Sequence, residues 1–86
     1  MKLVLIEWID SRQPEPTWKR IAELEEYKIV KCASVGWLVK SDKNVKVLAP
    51  NMGDIDDASN LQLSGEITIP SKAVVKMKIL REINAH

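Results

Sequence analysis

Between Cys32 and Pro50 the chain alternates apolar and polar residues in two runs separated by a short polar interval. Val35, Trp37 and Val39 recur at every second position, and Val45, Val47 and Ala49 do the same. A side-chain period of two is that of a β-strand, and two such runs around a short polar interval read as a hairpin. Paired residues must share a face, which limits the loop length. A loop of two or four residues sets Val39 against Lys46. The three-residue loop Asp42-Lys43-Asn44 sets Val39 against Val47 and Trp37 against Ala49. That length predicts a type I turn followed by a left-handed residue, here Asn44. The same register puts Lys40 opposite Lys46 on the outer face, beside Leu38 opposite Leu48. Such like charges either splay into water or hold an anion or acidic partner between them. Trp37 is expected to face inward; the rival reading makes it an exposed binding anchor.

The flanking segments fit around this hairpin. Lys2 to Asp10 reads as a first strand, with Val4, Ile6 and Trp8 on one face and Leu3, Leu5 and Ile9 on the other. With both faces largely apolar, it is expected to be covered on both sides. Pro14 and Pro16 break it, and Thr17 is a candidate cap for a short amphipathic helix over Trp18–Glu26. Tyr27 to Lys40 reads as a long strand bent at Gly36. Residues 51–60 read as an acidic loop, and Leu61 to Ile69 as one strand bent at Gly65. Pro70-Ser71-Lys72 predicts a single 3₁₀ or helical turn, and Ala73 to Arg81 the last strand, with Val75, Met77 and Ile79 inward and Lys76 and Lys78 outward.

With 86 residues, the chain is expected to form one domain, 1–86, with a thin core. Phe is absent, so Val, Ile and Leu must fill that core. The single cysteine, Cys32, leaves no partner for an internal disulfide and suits a reducing, cytoplasmic setting. Leu3–Ile6 is too short an apolar run for a leader, and no stretch has the length of a membrane span. The single histidine, the absence of any nucleophile–base pair and the absence of a phosphate loop argue against an enzyme and imply no cofactor. Asp54, Asp56, Asp57 and Asn60 resemble a calcium loop. Its sixth and twelfth places, counted from Asp54, hold Ser59 and Gly65 instead of Gly and Glu, and no metal site is assigned.

Net charge is +1, but it is unevenly spread. Residues 51–66 carry Asp54, Asp56, Asp57 and Glu66 with no base, while residues 67–86 carry Lys72, Lys76, Lys78 and Arg81 against Glu82. Lys40, Lys46, Lys76 and Lys78 are the candidate anion or nucleic-acid surface. Leu3 and Leu5, or a free strand edge, are the candidates for self-association.

Gly65-Glu66-Ile67-Thr68-Ile69-Pro70-Ser71-Lys72-Ala73-Val74 resembles the end of a Src-homology-3 domain, where a strand runs into Ile-Pro-Ser, makes one 3₁₀ turn and re-enters the barrel. The place two after Ser71, aromatic in that family's peptide groove, is Ala73, so the resemblance implies the barrel and not the groove. Gly36-Trp37-Leu38-Val39-Lys40-Ser41-Asp42 is similar to the Gly-x-Leu…Asp run of Sm-like RNA-binding proteins. Glu7–Ser11, Ser34–Leu38 and Ile69-Pro70 resemble small uncharacterised phage and prophage proteins, which implies a bacterial host cytoplasm.

The expected fold is therefore mainly β: a small five-stranded antiparallel barrel, Src-homology-3-like or Sm-like, with one short helix between strands one and two. The expected function is that of a non-catalytic interaction module with a protein partner, a homodimer being the favoured assembly. The alternative is a nucleic-acid-binding barrel. No membrane partner is expected.

Overall fold

A computed structural model describes residues 1–11, 16–24 and 29–82. Strands run over β1 (Lys2–Asp10), β2 (Val30–Ser41), β3 (Val45–Ala49), β4 (Asn51–Gly53), β5 (Gln62–Ser64), β6 (Ile67–Pro70) and β7 (Val74–Glu82). Five of them form one antiparallel sheet in the order β6-β3-β2-β1-β7. β4 and β5 form a separate two-stranded ribbon.

The core follows from what stands opposite what. Val4, Ile6 and Trp8 of β1 pair with Gly36, Ser34 and Cys32 of β2. Large residues on one strand thus meet small ones on the next, and the space is filled from further along the sheet by Leu48 and Ile69. Val4, Ile6, Leu48 and Ile69 form one buried cluster, with Trp8, Leu38, Ile67, Ala73 and Val74 packed against it. β6 lies three strands from β1, about 14 Å away in a flat sheet. Ile69 reaches Val4 and Ile6 only because the sheet curls. A Cβ on Gly36 would sit 3.1 Å from both the Ala49 carbonyl oxygen and the Leu48 Cβ, so the curl uses the missing side chain there. Trp8 anchors its indole by donating from Nε1 to Ser34 Oγ at 3.0 Å.

The sheet does not close. β6 and β7 are its two edges, joined by the 3₁₀ turn Ser71–Ala73 and not by a ladder. The expected five-stranded antiparallel sheet is present, but as a curled, open sheet and not a closed barrel. β6 has only four residues, and β7 bulges at Val75 and Leu80, which have no partner on β1. Bulges bend an edge out of line for pairing.

The expected helix is also absent. Among the described residues, the segment holds one 3₁₀ turn, Ile21–Glu23, with no side-chain cap; Glu25 and Glu26 lie outside them. Trp18 and Ile21 are almost wholly exposed. A helix this short is marginal without a surface to pack on, and the sheet's cluster is already filled from β3 and β6.

Three residues separate β2 from β3 as expected, and Trp37 stands against Ala49 and Leu38 against Leu48, but the expected pairing of Val39 with Val47 is not formed. Nearer the turn the register slips: Val39 bulges, so Lys40 lies beside Val47 and Ser41 beside Lys46. The two lysines are not opposite each other. Asn44 does not take a positive φ; among the described non-glycine residues only Asp54 does, at 52°. Asp42 closes the loop instead, its Oδ1 accepting from the N–H groups of Asn44 and Val45, both at 2.8 Å. Trp37 is half-buried on the face away from the cluster, because Val4 shares its face with Gly36, one residue earlier. The bent strand from Leu61 to Ile69 is two strands in two sheets, parted by Gly65 at φ 75°. The last turn and last strand are present, each one residue further along than expected, at Ser71–Ala73 and Val74–Glu82.

Ile6→Ala is expected to cost about 2–5 kcal/mol and to unfold the domain, since so few side chains are fully buried. Trp37→Ala is expected to leave it folded. Urea melts followed by far-ultraviolet circular dichroism compare the two; equal midpoints would contradict this assignment of the core face.

Candidate interaction surfaces

The loop around Asp42 is a polar knot. Its main-chain oxygen accepts from Ser71 Oγ at 2.8 Å and from Lys46 Nζ at 3.0 Å. Lys46 Nζ also donates to Ser41 Oγ at 2.7 Å, and the Ser71 N–H donates to the Asn44 carbonyl at 2.9 Å. The knot pins the turn before β7 to the hairpin loop. Lys40 adds a long ion pair to Asp42, at 4.0 Å. The N–H of Val45 and then that of Asn44 hold the Asp42 carboxyl below its ordinary value of 3.8, with smaller help from Lys40 and Lys46.

Of the four lysines singled out in sequence, three share a face and one does not. Lys76 lies beside Glu7 and Lys78 beside Leu5, on the face that also carries Leu3, Val35 and Trp37. Lys40, beside Val47, is on that face too. It stands five residues beyond Val35, which pairs with the same Leu5 as Lys78, so about 16 Å of strand separates them. Lys46 points to the cluster side and is held in the knot. No continuous stripe of the four results. Leu3 and Leu5 are half-buried, flanked by Trp37 and Val35 on one side and by Arg81 and Lys78 on the other.

The exposed apolar residues gather elsewhere. β7 is a nine-residue edge paired on one side only, and Val75, Met77, Ile79 and Leu80 are all exposed along it. Sequence reasoning turned Val75, Met77 and Ile79 inward. Val75 is in a bulge instead, and Met77 and Ile79 share the cluster side with Ile6 and Val4 but lie beyond its edge. The adjacent pairs Val74-Val75 and Ile79-Leu80 break the alternation and were the available sign of those bulges.

A second patch is the β4–β5 ribbon, where Ile55, Leu61 and Leu63 are exposed. The acidic loop at its tip is ordered by its own side chains. Asn60 Nδ2 donates to Asp54 Oδ2 at 2.6 Å, and Asp57 Oδ1 accepts from the N–H and Oγ of Ser59. Those carboxylate oxygens face amide and hydroxyl donors, not one another. A third patch is Trp18, Ile21 and Leu24 in the segment between β1 and β2. No helix among the described residues is long and apolar enough to cross a membrane.

Compared with protein-family models, curated proteins and solved structures, the chain finds a match in none of the three.

Because the folded state favours ionised Asp42, its contribution is fully present above the ordinary carboxylate value. It is lost as pH falls through the lowered one. Asp42→Asn keeps an oxygen acceptor but not the charge. The urea midpoint of the native chain is expected to exceed that of Asp42→Asn near pH 6, and the gap to shrink towards pH 3. A gap independent of pH would remove the charge from the account of the knot.

Proposed function

We propose that this chain is a small non-catalytic interaction module that self-associates through apolar surface its own fold leaves bare. One quantity carries this reading. The accessible surface is 7197 Å², against about 5,100 Å² for a compact monomer of this mass. The difference, about 2,100 Å², exceeds the roughly 800 Å² that one chain loses in a standard protein–protein interface. The radius of gyration, 17.4 Å, likewise exceeds the roughly 12 Å of a compact chain this long.

The 3₁₀ turn after Ile69-Pro70, followed by the chain's return as β7, supports a Src-homology-3-like reading of the partial barrel. The resemblance to small phage and prophage proteins supports a bacterial host cytoplasm as the setting of such a module. The absence of a catalytic role rests on the sequence, which sets no base beside a nucleophile.

A second reading, nucleic-acid binding, has one observation behind it: Lys76, Lys78 and Arg81 follow one another along the open edge. Phosphate contacts weaken steeply with salt. A mobility shift with mixed oligonucleotides that vanishes between about 50 and 200 mM salt would favour that reading.

Static light scattering over a concentration series is expected to give masses above the 9.7 kDa of one chain at high micromolar concentration. A 9.7 kDa species throughout would overturn self-association.

A further inference from the structure

We infer that copies of this chain join head to tail, the β7 edge of one against the β4–β5 ribbon of the next. This inference rests on the self-association reading and adds the two surfaces that meet.

Charge decides which exposed surfaces match. The β7 edge presents Met77 and Ile79 on its cluster side and Lys76, Lys78 and Arg81 on the other, with Glu82 alone in opposition. Two β7 strands paired about a two-fold axis would bring two edges of net positive charge together, and like charges repel. The ribbon is the reverse: Ile55, Leu61 and Leu63 lie among Asp54, Asp56, Asp57 and Glu66 with no base between residues 51 and 66. The two elements therefore carry opposite charge, and each also exposes apolar residues. The segment with Trp18 mixes Arg20 with Glu23 and complements neither.

Position and backbone agree with charge. The ribbon leaves the sheet from β3 and returns to β6, while β7 is the edge at the other end of the strand order. Each copy thus offers two different surfaces. A two-stranded ribbon alone is marginally stable, and β7 has a free row of main-chain donors and acceptors. Strand addition would satisfy both.

Area points the same way. One half of a standard interface covers about 800 Å² per chain. The excess surface here is more than twice that, which leaves room for two such contacts on each copy. Contacts between unlike patches make rings if the rotation closes and filaments if it does not.

Hydrogen exchange on the native chain, dilute and concentrated, is the first test. Assembly is expected to slow exchange in both β7 and β4–β5. Slowing in β7 alone would mean a two-fold edge pairing and overturn the inference.

The second test uses charge reversal. Asp56→Lys with Glu66→Lys changes the ribbon and spares the carboxylates that order its loop. Lys78→Glu with Arg81→Glu changes the edge and leaves Lys76 beside Glu7. Each double variant alone is expected to lose assembly in light scattering, and an equal mixture to regain it. A ribbon variant that still assembles as the native chain does would overturn head-to-tail joining while leaving self-association standing. A native chain that stays monomeric would remove both.

Discussion

The fold depends on a difference in side-chain size between two neighbouring strands. β1 supplies Val4 and Ile6, β2 supplies Ser34 and Gly36 opposite them, and the hollow so formed admits Leu48 and Ile69. Without the hollow the sheet would lie flatter, and residues three strands apart would not meet. Burial of a few aliphatic side chains, at about 1.5–3 kcal/mol each, is then concentrated at one point of the sheet. Everything further out, including most of β7 and the ribbon, is held by main-chain pairing with little burial beneath it.

This distribution explains what was legible in the sequence. The loop length, the pairings of Trp37 with Ala49 and Leu38 with Leu48, the single turn at Ser71 and the last strand all follow from alternation and turn chemistry, which act locally. The choice of core face did not follow. Val35 and Trp37 are larger than Ser34 and Gly36, and hydrophobic size alone selects the wrong side. What selects the right one is the partner strand, since small residues suit a place opposite Val4 and Ile6. The Val39 bulge and the turn closed by Asp42 were hidden for a similar reason. A one-residue slip changes which lysine faces which way, and Asp42, read as a plain loop residue, accepts two N–H groups at once.

The candidate surfaces were legible only in part. The segregation of acidic residues at 51–66 and basic ones at 67–82 is plain in the sequence. That the first forms a ribbon apart from the main sheet, and that the second is an edge, are facts of topology that no local pattern carries. The helix expected at Trp18 failed because periodicity describes a surface able to pack, and here the sheet leaves it nothing to pack on. The basic stripe failed because Lys46 turns back to the Ser41 hydroxyl and the Asp42 carbonyl.

Asp42 joins contacts of very different range. Its carboxylate closes a loop of neighbours, while its carbonyl accepts from Ser71, 29 residues along the chain. Short loops close at small entropic cost and long ones at greater cost. The β2–β3 hairpin is thus the part able to form early, and its turn presents the carbonyls on which the Ser71 turn later docks. One residue therefore holds both the hairpin turn and the turn that leads into β7, so a fault at Asp42 loosens both.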